Sequence, residues 1–135
     1  MKGVIKIMFR KTHKIKFDNK NNTLTISFNG LYDSKDMQQF IDEYLQSKIN
    51  MPKRSITLVI DALRLSIVEP DTFKRITDVS RHHLKNKKIY LGYKAIYILK
   101  SLNSIANVQL QTFFNQTNIQ DNIQFIKSKN DIQYS

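Results

Sequence analysis

The sequence contains no cysteine and no tryptophan, and among its 135 residues there are only 3 glycines and 2 prolines. Without cysteine, the chain has no disulfide, no thiolate zinc site and no cysteine nucleophile. With so few glycines, it has no glycine-rich phosphate loop, no dinucleotide-binding fingerprint and no Gly-x-Ser-x-Gly elbow. Local motifs therefore do not support an enzyme, and we expect a non-catalytic protein without a cofactor or a metal.

Long apolar runs and acidic side chains are also scarce. No stretch approaches the roughly 18 consecutive apolar residues of a membrane-spanning helix, and the N-terminal segment lacks the cleavage site of a signal peptide. We therefore expect one soluble, cytoplasmic domain with no membrane insertion. The 22 Lys and Arg residues against 11 Asp and Glu give a net charge of +11. This charge reflects either an anion-binding surface or the Lys-rich composition of an AT-rich genome.

Strand-like and helix-like hydrophobic periods follow each other along the chain. Strands that alternate with single amphipathic helices imply a sheet with parallel pairs and right-handed crossovers. We predict an α/β fold with a single mixed β-sheet and crossover helices, in the order β-β-α-β-α-β-α-β. The predicted elements are strands at 14–17, 23–28, 55–60, 95–99 and 123–126, a loop from Asp61, and helices capped by Asp33 or Ser34, begun at Pro70, and capped by Ser101 or Asn103.

The predicted domain spans residues 13–130. Residues 1–12 are either a basic N-terminal arm or an extra edge strand, and residues 131–135 are predicted to be a polar tail. Each helix has one face assigned to the core. In the first helix the assigned residues are Met37, Phe40, Ile41, Tyr44 and Leu45. In the third helix the assigned residues are Leu102, Ile105, Ala106, Leu110, Phe113 and Phe114.

Short motifs lie where predicted strands end: Phe28-Asn29-Gly30-Leu31-Tyr32-Asp33, Val59-Ile60-Asp61 and Leu99-Lys100-Ser101. In order and spacing they resemble the STAS domain family, the fold of bacterial anti-sigma-factor antagonists and of sulfate-transporter tails. The resemblance covers about residues 13–130. It implies a STAS-like fold and a regulatory or protein-interaction module.

The start of the second helix departs from the family pattern. The family's antagonists carry Asp-Ser-Ser-Gly there, with the second serine phosphorylated, and this chain has Glu69-Pro70-Asp71-Thr72. Asp71 takes the place of the phosphorylated serine. A serine kinase cannot modify an aspartate, so we expect no phosphorylation switch at the family position.

A surface for another protein is predicted at the loop after Asp61 and the start of the second helix, because this loop is more apolar than is needed for a loop with no binding role. The acidic groups there also suit the positive end of the helix dipole without any partner. The uncharged outer face of the third helix is a second candidate contact, and a homodimer is left open. The residues assigned to the partner surface are Leu65, Ser66, Ile67, Glu69, Asp71, Thr72 and Arg75.

The alternative function is a basic nucleic-acid-binding domain, with phosphate contacts from lysines and arginines and stacking on Tyr90 and Tyr93. Against it, the chain has no helix-turn-helix and no RNP-like signature. A pocket for an apolar ligand around Tyr97, Phe113 and Phe114 is a third hypothesis, although a core needs the same spacing. The residues assigned to the nucleic-acid surface are Lys74, Arg81, Lys85, Lys87 and Lys88.

Overall fold

The computed structural model describes residues 13–50, 56–85, 93–117 and 123–133. The predicted arm at residues 1–12, together with Lys87, Lys88 and Tyr90, lies outside the described residues. The same holds for the side chain of Lys85.

Within the described residues, five strands and three helices follow the predicted order. They are β1 (His13–Asp18), β2 (Thr23–Tyr32), α1 (Ser34–Asn50), β3 (Thr57–Val68), α2 (Pro70–Lys85), β4 (Ala95–Leu99), α3 (Ser104–Thr117) and β5 (Ile123–Ile126), before a short 3-10 helix at Lys129–Asp131. The strands form one sheet in the order β1-β2-β3-β4-β5, with β1 antiparallel to β2 and the other pairs parallel. The prediction of a single mixed sheet is confirmed.

Polar side chains cap the helices that border the candidate site. Asp33 accepts a hydrogen bond from the backbone N–H of Asp36 at 3.0 Å, and Asp36 accepts one from the backbone N–H of Asp33 at 3.0 Å. This reciprocal pair is a capping box, and the N–H of Asp36 holds the pKa of Asp33 below its usual value. At α3, the side-chain oxygen of Asn103 accepts the N–H groups of Ile105 and Ala106 at 2.9 and 3.2 Å. The caps are therefore Asp33 and Asn103.

The main core lies between the sheet and the three helices. On α1, Met37 and Tyr44 are buried, and the rest of the predicted apolar face packs against the same core. From α3, Ala106 and Phe114 reach the sheet. The buried strand residues of this face are Leu24, Ile26, Leu58, Ile60, Ala62, Leu65, Ile96 and Ile98.

The opposite face of the sheet carries a smaller apolar cluster. It joins Val59, Tyr97, Leu99 and Ile126 to Ile132, which comes from the segment predicted to be a polar tail. Ile132 is 8% exposed. The end of the chain is therefore packed against the sheet as far as Ile132.

β3 is longer than predicted, because the loop expected after Asp61 is a continuation of the strand. Its pairing with β2 shifts register between Ser27 and Asn29 and again between Gly30 and Tyr32. At each shift β3 holds one more residue than β2, which is a β-bulge. The residues that face the core are therefore spaced by three, at Ala62, Leu65 and Val68. A regular strand would place every second residue on the core face. The prediction of a loop after Asp61 is wrong, because these residues continue the strand.

Candidate functional site

The predicted partner surface divides into exposed and buried side chains. Leu65 is 3% exposed and Thr72 is fully buried, so neither side chain reaches a partner in this conformation. Ile67 is half-buried. The exposed members of the predicted surface are Ser66, Glu69, Asp71 and Arg75.

The largest exposed apolar side chains of the described residues lie beside this region. Leu102, Ile105 and Val108 are 87%, 62% and 64% exposed, and Leu63 is 36% exposed. Residues three apart on a helix are surface neighbours, so Ile105 and Val108 form a row that Leu102 extends. We call these four residues the α3 patch. Leu102 and Ile105 were assigned to the core, and that prediction is wrong, since they point to solvent.

Hydrogen bonds fix the α3 patch on the sheet. The backbone N–H of Leu102 donates to the carbonyl of Leu63 at 3.2 Å, which brings β3 and the start of α3 together. The hydroxyl of Ser101 donates to the carbonyl of Leu65. Farther along α3, Gln109 bonds both backbone groups of Val68, accepting its N–H at 2.8 Å and donating to its carbonyl at 2.6 Å. The patch is therefore held by the bulged end of β3.

Two cations lie near one end of the α3 patch. Arg64 follows Leu63, Lys100 lies two residues before Leu102, and both cations are exposed. Residues 99–117 contain no Asp or Glu. The carboxylate of Asp61, at the nearby part of β3, is paired with the Lys129 ammonium at 3.2 Å. An approaching group therefore meets apolar surface with cations near Leu63 and Leu102, whereas the exposed carboxylates Glu69 and Asp71 lie at the start of α2.

The basic residues are split between the two sides of the sheet. Lys74 and Arg81 are exposed on α2, and Arg81 donates to the carbonyl of Gln116 at 3.2 Å. Lys14 lies on the other face, because its neighbours His13 and Ile15 in β1 pack towards the helices. There a groove holds four cationic side chains beside Asp61. Lys14 and the basic residues of α2 therefore do not form one continuous positive surface. The cationic residues of the groove are Lys14, Arg64, Lys127 and Lys129.

An apolar cavity of about 170 Å³, partly open to solvent, lies between the sheet and the helices. Its walls are apolar side chains from β2, β3, β4 and all three helices, and no described wall residue is charged. Phe113 and Phe114 line it, as the pocket hypothesis expected, whereas Tyr97 lies on the opposite face of the sheet.

The position of α2 accounts for the cavity. Its main backbone contacts are with α1 and α3, and it bridges these helices above the sheet. Phe73, Ile76 and Val79 of α2 point into the cavity and are half-buried. Close packing normally fills such space in a protein core. The cavity is therefore bounded on one side by a single helix.

Few polar groups reach the cavity. The hydroxyls of Tyr44 and Tyr93 hydrogen bond to each other, and both residues line the wall. Burial raises the pKa of Tyr44 to about 12, although the bond to Tyr93 opposes the shift. Tyr44 therefore remains neutral near neutral pH. Ser80 and Gln109 are the remaining polar wall residues of the described chain.

The uncharged outer face of the third helix was predicted as a candidate contact, but Leu102 and Ile105 were assigned to the core because the helix is apolar on two sides. The third helix carries apolar residues both on the Ala106 and Phe114 side and on the Leu102 and Val108 side. Periodicity alone therefore did not separate the core-facing side from the exposed side. The available signal was the outer face, where Asn, Gln and exposed apolar residues replace the charges of an ordinary solvated helix.

Comparison with known proteins supports the architecture. No family model matches the sequence, and no curated protein matches it. The structure is similar to the crystal structure of an uncharacterized protein of the DUF3478 family with a SpoIIAA-like fold, from Shewanella loihica PV-4. The two chains are 15% identical, the match covers 88% of this chain and 87% of that chain, and the TM-score is 0.59.

Two conclusions follow from the geometry and this similarity. Among the described residues, no helix combines the length and apolar composition needed to cross a bilayer. At low sequence identity, the similarity establishes the fold and leaves the activity to be argued from the site. The chain has a SpoIIAA-like α/β fold, which confirms the STAS-like architecture that its motifs predict.

Proposed function

We propose that this protein is a non-catalytic regulatory module that binds another protein through the α3 patch. The observation that carries the proposal is the exposure of Leu102, Ile105 and Val108 in one row. Contiguous apolar surface on a soluble domain is typical of interaction sites. The exposed residues Ser66 and Arg75 of the originally predicted surface are proposed to lie at its border.

The proposed partner presents apolar side chains flanked by Asp or Glu. Arg64 and Lys100 border the patch, and no carboxylate occurs in residues 99–117 to neutralise them. Complementary charge raises the association rate and disfavours partners of like charge. A second copy of this chain would bring the same cations together, in a protein of net charge +11. A homodimer through this face is therefore disfavoured relative to an acidic partner.

A site-specific photo-crosslinker tests the proposal in the cells that make the protein. Placed at Ile105, it should capture a partner, whereas placed at Lys20, an exposed turn residue, it should not. The captured protein is then purified and titrated against the domain. We expect Leu102→Asp to weaken this binding at least tenfold, because it places a carboxylate in a desolvated apolar contact.

Matched charge reversals supply the control. Lys100→Glu, at the border of the patch, should weaken binding, while Lys74→Glu on α2 should leave it unchanged. Equal capture at Ile105 and Lys20, or unchanged binding by the Leu102→Asp variant, would overturn the proposal. Leu102-dependent dimers in ultracentrifugation, or Leu102-dependent binding to anionic phospholipid vesicles with no protein captured, would assign the patch to a second copy or to a lipid surface instead.

The cationic groove on the other face of the sheet favours nucleic-acid binding as a second candidate function. Lys14, Arg64, Lys127 and Lys129 line it, and Asp61 is its only described acidic side chain. Phosphate contacts of this kind weaken steeply with salt. In this case, short single-stranded DNA or RNA should bind in fluorescence anisotropy, at least tenfold more weakly at roughly 200 mM than at 50 mM salt.

Charge reversal distinguishes the groove from the α2 surface. The variant Lys14→Glu should reduce nucleic-acid binding if the groove is used, and Lys74→Glu should reduce it if α2 is used. Absence of binding at the lower salt concentration would exclude this second function.

A further inference from the structure

We propose that the apolar cavity between the sheet and the helices binds a small, uncharged, hydrocarbon-rich ligand. This inference is independent of the α3 patch, since the cavity lies on the inner side of α3 and the patch on its outer side. The ligand class follows from the volume of the cavity, the chemistry of its wall and the way α2 covers it.

The cavity has the size of a small ring compound. Its volume is about 170 Å³, and an engineered apolar cavity of roughly 150 Å³ stays dry and takes up benzene. Water gains little there, because a buried water needs two to four polar partners. An apolar molecule gains dispersion contacts with the wall that the empty cavity forgoes. Occupation by such a ligand is therefore favoured over occupation by water.

The wall selects against charge. No described wall residue is ionisable except the two tyrosines, and Tyr44 and Tyr93 direct their hydroxyls at each other. The side-chain amide of Gln109 is engaged in two hydrogen bonds to the backbone of Val68. A carboxylate or ammonium ion would lose its hydration without gaining an opposite charge, which is strongly unfavourable. The ligand is therefore neutral, with its polar groups limited to one or two at most.

The α2 side of the wall gives the ligand its place. Phe73, Ile76 and Val79 are apolar and only half-buried. A ligand seated against them and against Phe28 of β2, which is also half-buried, completes the packing that the sheet and α2 lack between them. Binding therefore stabilises the folded state by mass action.

Toluene and benzoate test the proposal on the full chain, because the two probes are alike in size and differ in charge. Protein resonances are followed by NMR during each titration. Toluene should bind with a submillimolar Kd and raise the Tm, and benzoate should not bind. Nuclear Overhauser contacts should connect toluene to Tyr44, Ile76 and Phe114. Contacts to Leu102, Ile105 and Val108 instead would place the probe on the α3 patch and overturn the proposal.

A cavity-filling substitution provides the second test. Val79→Phe should weaken toluene binding at least tenfold, and its matched control Val108→Phe, on the exposed side of α3, should leave the Kd unchanged. Ser80→Leu fills the same cavity with a smaller side chain and serves if Val79→Phe does not fold. Toluene binding that is unaffected in a folded filling variant, or equal affinity for benzoate, would overturn the proposal. Failure of the α3-patch experiments has no bearing on these outcomes.

Discussion

Replacing Ile98 with alanine should lower the free energy of unfolding by about 4 kcal/mol, and replacing Ile76 should lower it by about 2 kcal/mol. Ile98 is fully buried in β4 on the face that packs against the helices. Ile76 lies on α2, where it borders the cavity and is half-buried. Part of the Ile76 side chain therefore already lacks packing partners, and its removal forfeits fewer contacts.

Urea denaturation followed by circular dichroism measures both losses. Val108→Ala is the control, because Val108 is 64% exposed and truncation of an exposed side chain changes stability by no more than about 0.5 kcal/mol. Equal losses for the two isoleucines would mean that the wall beside Ile76 is as tightly packed as the rest of the core. That result would also remove the cavity on which the proposed ligand depends.

Raising the pH through 10 to 12 should destabilise the protein through Tyr44, by up to about 3 kcal/mol. Burial raises the pKa of this phenol from 10.0 to about 12 in the folded state. The unfolded chain therefore loses the proton first. The contribution of Tyr44 to stability is complete below pH 10, declines as the pH rises from 10, and is lost above the folded-state value.

The variant Tyr44→Phe isolates this contribution. Its stability should fall less between pH 9 and 12 than that of the wild type, in urea titrations at each pH. Tyr97→Phe is the matched control, since the Tyr97 hydroxyl lies on the other face of the sheet, where it accepts the backbone N–H of Gln133 at 3.4 Å. An equal loss of stability between pH 9 and 12 in the wild type and in Tyr44→Phe would contradict the burial of a neutral phenol at this position.

Local sequence determines much of the fold. Apolar residues at helical spacing placed Met37 and Tyr44 of α1 in the core, and the last strand lies at Ile123–Ile126 as predicted. The reason is physical, because an amphipathic helix buries its apolar stripe in one orientation. Polar caps such as Asp33 also fix the residue at which a helix begins. For the same reason the strand and helix order led to a single mixed sheet and to the STAS-like resemblance.

The tertiary structure alone decided the surface and the interior. A bulge in β3 turns Leu65 instead of Arg64 towards the core, and a two-residue alternation cannot show an inserted residue. Likewise, α3 is apolar on two sides, and only its neighbours decide that Ala106 enters the core while Leu102 meets solvent. The cavity depends on how far α2 stands from the sheet. Periodicity predicts which side chains tend to be buried. The distances between helices and strands decide which of those side chains are closely packed and which stay exposed or border the cavity.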